Sequence, residues 1–172
     1  MSSQDETPGV IGFDERPSKL ASARPNFPHA GESDAEQILE LMRQLNRDDP
    51  GPEPLDEAAA RKALLTLLRD PSFGRAWLIC NGQAAVAYVV LTFGYSLEFH
   101  GRDAFIDELF VEASHRGRGW GQRTLEFVER EAQTLGVRAL HLAVSQQNHA
   151  AYETYHRAGF ENRGFRLMSK RI

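Results

Sequence analysis

The stretch Ala104-Phe105-Ile106-Asp107-Glu108-Leu109-Phe110-Val111, followed four residues later by Arg116-Gly117-Arg118-Gly119-Trp120-Gly121, decides how this chain folds. Its first half is an apolar run with strand composition. Its second half is a glycine-rich turn. An amphipathic helix then begins near Gly121, with Leu125, Val128, Ala132 and Leu135 on one face and Gly136 to close it. Strand, glycine turn and helix start together make an anion site: the first N–H groups of a helix lack partners, and the positive end of the helix dipole lies behind them. The glycines let a ligand approach the backbone closely. Arg116 and Arg118 add charge-assisted donors suited to phosphate oxygens. The stretch reads as a cradle for a pyrophosphate.

Upstream, residues 76–80 read as a strand, and Asn81-Gly82 is a strong hairpin signal. The partner strand runs from Ala84 to about Phe93 and can continue toward Phe99. His100-Gly101-Arg102-Asp103 is the next turn, and residues 104–111 form the strand that enters the glycine turn. Three strands joined by tight turns imply antiparallel pairing. Earlier still, Ser33 and Asp34 look like a helix cap, and Ile38, Leu41, Met42 and Leu45 recur at helical spacing to about Asn46. A stiff acidic loop with Asp48, Asp49 and Glu53 leads to a second helix over residues 55–69, stopped by Asp70-Pro71. Downstream, residues 137–144 read as a strand returning parallel to residues 104–111 by a right-handed crossover. Residues 148–158 read as a short helix ended by Gly159, and residues 160–161 and 165–169 as a closing pair of strands. Pro25 and Pro28 interrupt any strand ahead of the first helix. The expected fold class is α+β (mixed α/β), with a central mixed, mostly antiparallel sheet flanked by helices. Residues 1–24 are expected to be a disordered or loosely attached arm, and residues 25–172 a single domain.

Length and composition agree with this. The chain has 172 residues, enough for one domain with a real core. Its 41% hydrophobic and 26% charged residues are those of a soluble globular protein. A net charge of −4 argues against wholesale binding of nucleic acid or anionic membranes. No apolar run is long enough to span a bilayer, and the N-terminus lacks the pattern of a secretory signal. The single Cys80 cannot form an internal disulfide, which favours a cytoplasmic location.

The glycine turn resembles the signature loop of the GNAT superfamily of acetyl-CoA-dependent N-acetyltransferases, Gln/Arg-x-x-Gly-x-Gly/Ala between a strand and a helix. Arg116, Gly119 and Gly121 stand at those places. A second block resembles the family's Asn-x-x-Ala-x-x-Leu-Tyr-x-x-x-Gly-Phe: Asn148, Ala151, Tyr155, Gly159 and Phe160 match, with Thr154 in place of Leu. The text from Ile106 to Val111 is similar to the strand that leads into the loop. The order of elements agrees from about Ser33 onward. The departure is at the start, where the family opens with an uninterrupted strand.

The resemblance implies acetyl-CoA as co-substrate and an amine as acceptor. It implies coenzyme contacts from Arg116, Gly117, Arg118, Gly119, Trp120, Gly121 and Gln122, from Asn148, and from the strand backbone at Leu109, Phe110 and Val111, which pairs with the pantetheine arm. It places Tyr155 where the departing thiolate is protonated. The amine must lose a proton before it attacks, and Asp107 and Glu108 are the candidate bases. Adjacent strand residues point to opposite faces, so one of the two faces the cleft, unless a bulge changes the parity. The alternatives are that both carboxylates are structural, that Tyr155 is a core aromatic and that Asn148 only caps its helix. His141, His149 and His156 lack ligand spacing, and no metal is expected. Asp48, Asp49, Glu53 and Glu98 either suggest a cationic acceptor, in a pocket walled by the first two helices, their loop and the hairpin around His100, or are only solvated charges. Phe93, Tyr95 and Phe99 either line that pocket or simply pack the long strands.

The reading is therefore an N-acetyltransferase that moves the acetyl group to a primary amine of a small molecule or peptide by direct transfer in a ternary complex. The rival is a non-catalytic acyl-CoA-binding sensor or docking module of the same fold. A P-loop nucleotide-binding domain is disfavoured, because the turn lacks the Lys-Ser/Thr pair. Dimers are common in the family, and nothing in the sequence decides the oligomeric state.

Overall fold

The computed structural model describes residues 25–51 and 54–172. The expected N-terminal arm and Glu53 lie outside them. Four strands, β1 (Gly74–Asn81), β2 (Ala84–Ser96), β3 (Gly101–Val111) and β4 (Ala139–Leu142), form one sheet in the order β1-β2-β3-β4. The first three pair antiparallel, and β4 runs parallel to β3, with Ile106 opposite Leu142 at the end of the pairing. Helices α1 (Ala35–Asp48) and α2 (Glu57–Arg69) cover one face, and α3 (Trp120–Thr134) with α4 (His149–Arg157) the other. The α+β reading of a mostly antiparallel sheet between helices is borne out.

Alternation along the strands makes both faces. Ala76, Leu78, Tyr88, Val90 and Phe110 turn toward Ile38, Leu39, Leu41 and Leu64 of α1 and α2. Trp77, Ile79, Val89, Leu91 and Ile106 turn toward Leu125 and Val128 of α3. The central strands are thus buried on both sides, which explains their nearly continuous apolar text. The helix starts follow from capping. The Asp56 carboxylate accepts from the Ala58 and Ala59 N–H groups, and the Asn148 side chain accepts from Ala151 N–H, as one of its expected roles required. Asp34 caps differently from expectation: its carboxylate accepts from Gly31 N–H at the head of a short 3₁₀ turn that runs into α1.

Two local readings are corrected, and a third, the absence of a regular strand around Pro25 and Pro28, is extended by isolated bridges. The β1–β2 turn is Gly82-Gln83, with Gly82 at φ +65°, one residue beyond the Asn81-Gly82 pair. The proline-flanked residues 26–30 lie antiparallel along β1: Asn26 and Cys80 exchange backbone bonds, and Ala30 N–H donates to Ala76. Phe27 stacks on Phe127 at 4.3 Å and fixes this segment over α3, so the β1 edge is covered rather than open. The closing pair of strands does not form, and residues 161–172 are neither helix nor strand. Arg163 pairs with Glu98 at 2.8 Å and lies over the Phe99 ring, and Asn162 accepts from Gly164 N–H in a tight turn. These contacts carry the chain toward the β2–β3 turn instead of along β4.

Candidate active site

β3 is longer than its parallel neighbour. β4 ends opposite Ile106, so among the described residues no strand lies beside the edge of β3 beyond that residue. Leu109, Phe110 and Val111 lie on this free stretch. The Phe110 and Val111 side chains are buried in the two cores, which leaves backbone as what these residues can offer a ligand. Of that backbone, the Val111 carbonyl already accepts from Arg116 Nε at 2.8 Å.

At the end of β3 a short 3₁₀ turn carries the chain into the glycine loop. Gly117 and Gly119 take φ +71° and +79°, and Gly119 serves as the N-cap of α3 without a side chain. A Cβ at either position would meet no protein atom within 4 Å. The N–H groups of residues 117–122 make no well-aligned hydrogen bond among the described residues, beyond the loose turn contacts of residues 116–119. The loop is therefore an open cradle of free donors at a helix N-terminus, and it fits a pyrophosphate. Two residues of the loop have packing roles. The Trp120 side chain is buried against the α3-side core, edge-on to His115 at 5.6 Å, so only its backbone N–H faces the cradle. A Cβ on Gly121 would lie 3.5 Å from Thr154 of α4, so this glycine serves the approach of two helices. Gln122 bonds Glu126 through Nε2 and leaves Oε1 buried without a donor.

The parity question at Asp107 and Glu108 is decided by register. Val90 pairs with Glu108 and Leu91 with Ile106, so Asp107 is the extra residue of a β-bulge. The bulge resets the alternation and turns Glu108 to the α1 face. There it accepts a hydrogen bond from the Tyr88 hydroxyl at 3.0 Å and lines a cleft of about 170 Å³ with Met42, Leu45, Asn46, Asp49, Gly51 and Leu55. Burial pushes the Glu108 carboxyl above the ordinary carboxylate range; the Tyr88 bond pulls it down, and the Asp107 charge pushes it up again. Asp107 is more exposed, yet the protein mass beneath the bulge still raises its carboxyl. Its charge reaches Tyr88 as well as Glu108, so both carboxylates act on one region. Because the Tyr88 bond favours ionised Glu108, Tyr88→Phe is expected to raise the Glu108 pKa. Titration of the carboxyl followed by NMR checks this, and an unmoved midpoint would show that the bond does not tune Glu108.

Tyr155 lies half-buried on α4, edge-on to Phe160 at 6.1 Å. Its phenol is raised above the ordinary value, chiefly by burial and then by the charge of Asp49. Asp49 also accepts from Asn148 Nδ2 at 3.2 Å. One carboxylate at the end of α1 thus touches the α4 block and lines the cleft that holds Glu108. Sequence reasoning missed this junction, and it missed Tyr88. Both involve residues far apart in the chain, for which no local signal exists.

Other expected pocket residues are elsewhere. Glu98 is paired with Arg163, and Asp48 with Arg116. Phe93 packs in the α3-side core, Tyr95 is exposed and Phe99 lies against His141 at 5.3 Å; none lines the cleft, nor does the turn around His100. His141 sits 3.4 Å from Asp103, and no group of three or more His, Cys, Asp or Glu among the described residues is arranged to hold a metal ion. No helix among them is long and apolar enough to cross a membrane.

Proteins named as acetyltransferases are among those similar to this chain. The chain is 30% identical to the thialysine N-epsilon-acetyltransferase of Bos taurus over 82 residues, 48% of this chain, and spans about half (48%) of that relative's length. Its fold superposes on an integron cassette protein from the mobile metagenome of Cole Harbour Salt Marsh with a TM-score of 0.74 and 34% identity, covering 85% of this chain and 90% of that one. A predicted acetyltransferase of Clostridium acetobutylicum, crystallised with acetyl-CoA, shares the fold at a TM-score of 0.73 and 16% identity, covering 86% of this chain and 96% of that one. A family model described as Acetyltransferase (GNAT) family matches residues 36–160, which contain the bulged strand, the glycine cradle and the Asn148 to Phe160 block, and the chain belongs to that family.

Proposed function

We propose that this protein transfers the acetyl group of acetyl-CoA to a primary amine of a small molecule or peptide, by direct transfer in a ternary complex. The observation that carries this reading is the meeting of two half-sites. The free donors of residues 117–122 and Asn148 lie on one side, the cleft with Glu108 on the other, and Asp49 touches both. The coenzyme, when bound, supplies an activated thioester. The chain's own residues do the rest. An alkylammonium has a pKa near 10 and cannot attack until it loses a proton. Glu108, half-buried and raised in pKa, is placed to take it directly or through one water, with Asp107 as the second carboxylate. The neutral amine adds to the thioester carbonyl, a backbone N–H near Leu109 steadies the resulting oxyanion, and the C–S bond breaks on collapse, with the second amine proton passing to solvent or back to Tyr155. Tyr155, held protonated by burial and by Asp49, donates its proton toward the departing sulfur.

The cleft suits an amine. Met42, Leu45 and Leu55 offer apolar wall for an alkyl stem, and Asp49 and Glu108 offer negative charge for its nitrogen. A covalent enzyme intermediate is not part of the reading: Cys80 is buried against the helices, is not among the residues lining the cleft, and has its thiol raised above the ordinary value by burial and the Asp34 charge.

The test is release of free thiol from acetyl-CoA against a panel of primary amines. Release with at least one amine and not in its absence is expected. Tight coenzyme binding without release for any amine would overturn the enzyme reading in favour of the sensor. Within the enzyme reading, Tyr155→Phe is expected to lower kcat about tenfold and leave coenzyme affinity unchanged. The loss is smaller than for a base because a thiolate leaves readily even without a proton donor. Unchanged turnover would remove Tyr155 from its role.

A further inference from the structure

Two consecutive carboxylates at the end of α1 cross to two separate elements. Asp48 pairs with the Arg116 guanidinium, 68 residues away in sequence, and Asp49 accepts from Asn148, 99 residues away. The resemblance assigns both Arg116 and Asn148 to the coenzyme. In the structure, each of the two bonds an aspartate.

Arg116 is well prepared to exchange its partner. Its Nε is committed to the Val111 carbonyl at 2.8 Å, and its guanidinium lies 5.2 Å from the Phe110 ring centroid, so the head group stays oriented when Asp48 leaves. The ion pair is open to water, with the Arg116 and Asp48 side chains 46% and 41% exposed. Exposed pairs are weak, and breaking one strands no buried charge. A pyrophosphate diester carries two negative charges, one on each phosphate, against the single charge of a carboxylate, and its oxygens meet the planar guanidinium equally well. The free N–H groups of residues 117–122 follow Arg116 directly in the chain, so a phosphate there gains donors that Asp48 does not use.

We propose that Asp48 is an intramolecular competitor for the coenzyme's phosphates: it occupies Arg116 in the free protein and gives it up when the coenzyme enters. This rests on the coenzyme reading proposed above. Asp48 thereby sets the coenzyme affinity below what the cradle alone provides. It also holds the chain just before Asp49, so the acceptor side registers whether the donor side is filled.

The experiment is a calorimetric titration of coenzyme A into the full chain and into Asp48→Asn, Arg116→Gln and the double variant. Both positions are exposed, and a melting curve for each variant checks that the fold is retained. Asp48→Asn is expected to tighten binding about two- to fivefold, the range a solvent-exposed ion pair supports. In the Arg116→Gln background the same change is expected to do nothing. Unchanged or weaker binding by Asp48→Asn overturns the proposal. So does equal tightening in both backgrounds, which marks a diffuse charge effect rather than competition for one guanidinium. If Arg116→Gln leaves the affinity of the Asp48→Asn protein unaltered, Arg116 is not a coenzyme ligand; that result sinks the underlying assignment and is distinct from a failure of competition.

Discussion

Glu108→Gln is expected to lower kcat by about 10² to 10⁴, the usual worth of a positioned general base, and to leave the coenzyme dissociation constant unchanged. The substitution is nearly isosteric. Its amide oxygen can still accept the Tyr88 hydroxyl bond, so neither the sheet nor the cleft has reason to shift. What is lost is the ability to accept a proton from an ammonium. The pH profile adds an independent readout. A base works when ionised, so kcat/KM rises with pH through the Glu108 pKa and then levels. Burial is the largest influence on that carboxyl and the Asp107 charge adds to it, so the limb lies above the range of an ordinary glutamate. In Glu108→Gln the limb should vanish along with the rate. A variant within threefold of the parent, with the limb in place, would dismiss Glu108 and direct attention to Asp107, whose Asp107→Asn change would then carry the loss. A drop in rate matched by an equal drop in coenzyme affinity would point to a distorted site rather than a missing base.

That Glu108 and not Asp107 lines the cleft is a good measure of what the chain's text discloses. Alternation along a strand is local and legible, so three antiparallel strands, the parallel return and the two helical layers all follow from it. A bulge is a property of how two strands register, and nothing within residues 104–111 marks Asp107 as the residue to be skipped. The same holds at the C-terminus. Phe165 and Leu167 alternate with polar residues as in a strand, but the pattern cannot say whether a sheet edge is in reach, and both remain exposed. The glycine turn and the helix start behind it were legible because turn, cap and helix start are consecutive, while the burial of the Trp120 side chain and the packing of Gly121 against Thr154 were not. The acceptor side was legible only as a surplus of acid. Two of those acids, Asp48 and Glu98, prove to be spent on arginines, while Asp49 lines the cleft. Pairing across 68 or 99 residues leaves no trace in spacing or composition.

The cradle itself faces the most demanding test. Gly119→Val is expected to weaken coenzyme binding more than a hundredfold, equivalent to about 2.7 kcal/mol or more. Two effects combine. At φ +79° a β-branched residue is strained, because the left-handed region crowds Cβ against the backbone, at a cost of about 1–2 kcal/mol. The added methyls also enter the space beside the free N–H groups. In the protein alone that space is open, with no atom within 4 Å of the Cβ position, so the folded state meets no clash. A melting curve should therefore show a destabilised but folded protein, while calorimetry shows lost affinity. The two effects separate with Gly119→Asn, since asparagine accepts the left-handed conformation far more readily than valine. If strain alone governs the site, Gly119→Asn binds coenzyme nearly as the parent does. If close approach of phosphate to the backbone governs it, Gly119→Asn also loses most of its affinity, because any side chain fills the gap. The second result is expected here: the donors are backbone groups, and they reach a phosphate only where no side chain stands between. Parent-like binding by Gly119→Val would show that the phosphates lie elsewhere and would withdraw the cradle assignment for the whole loop.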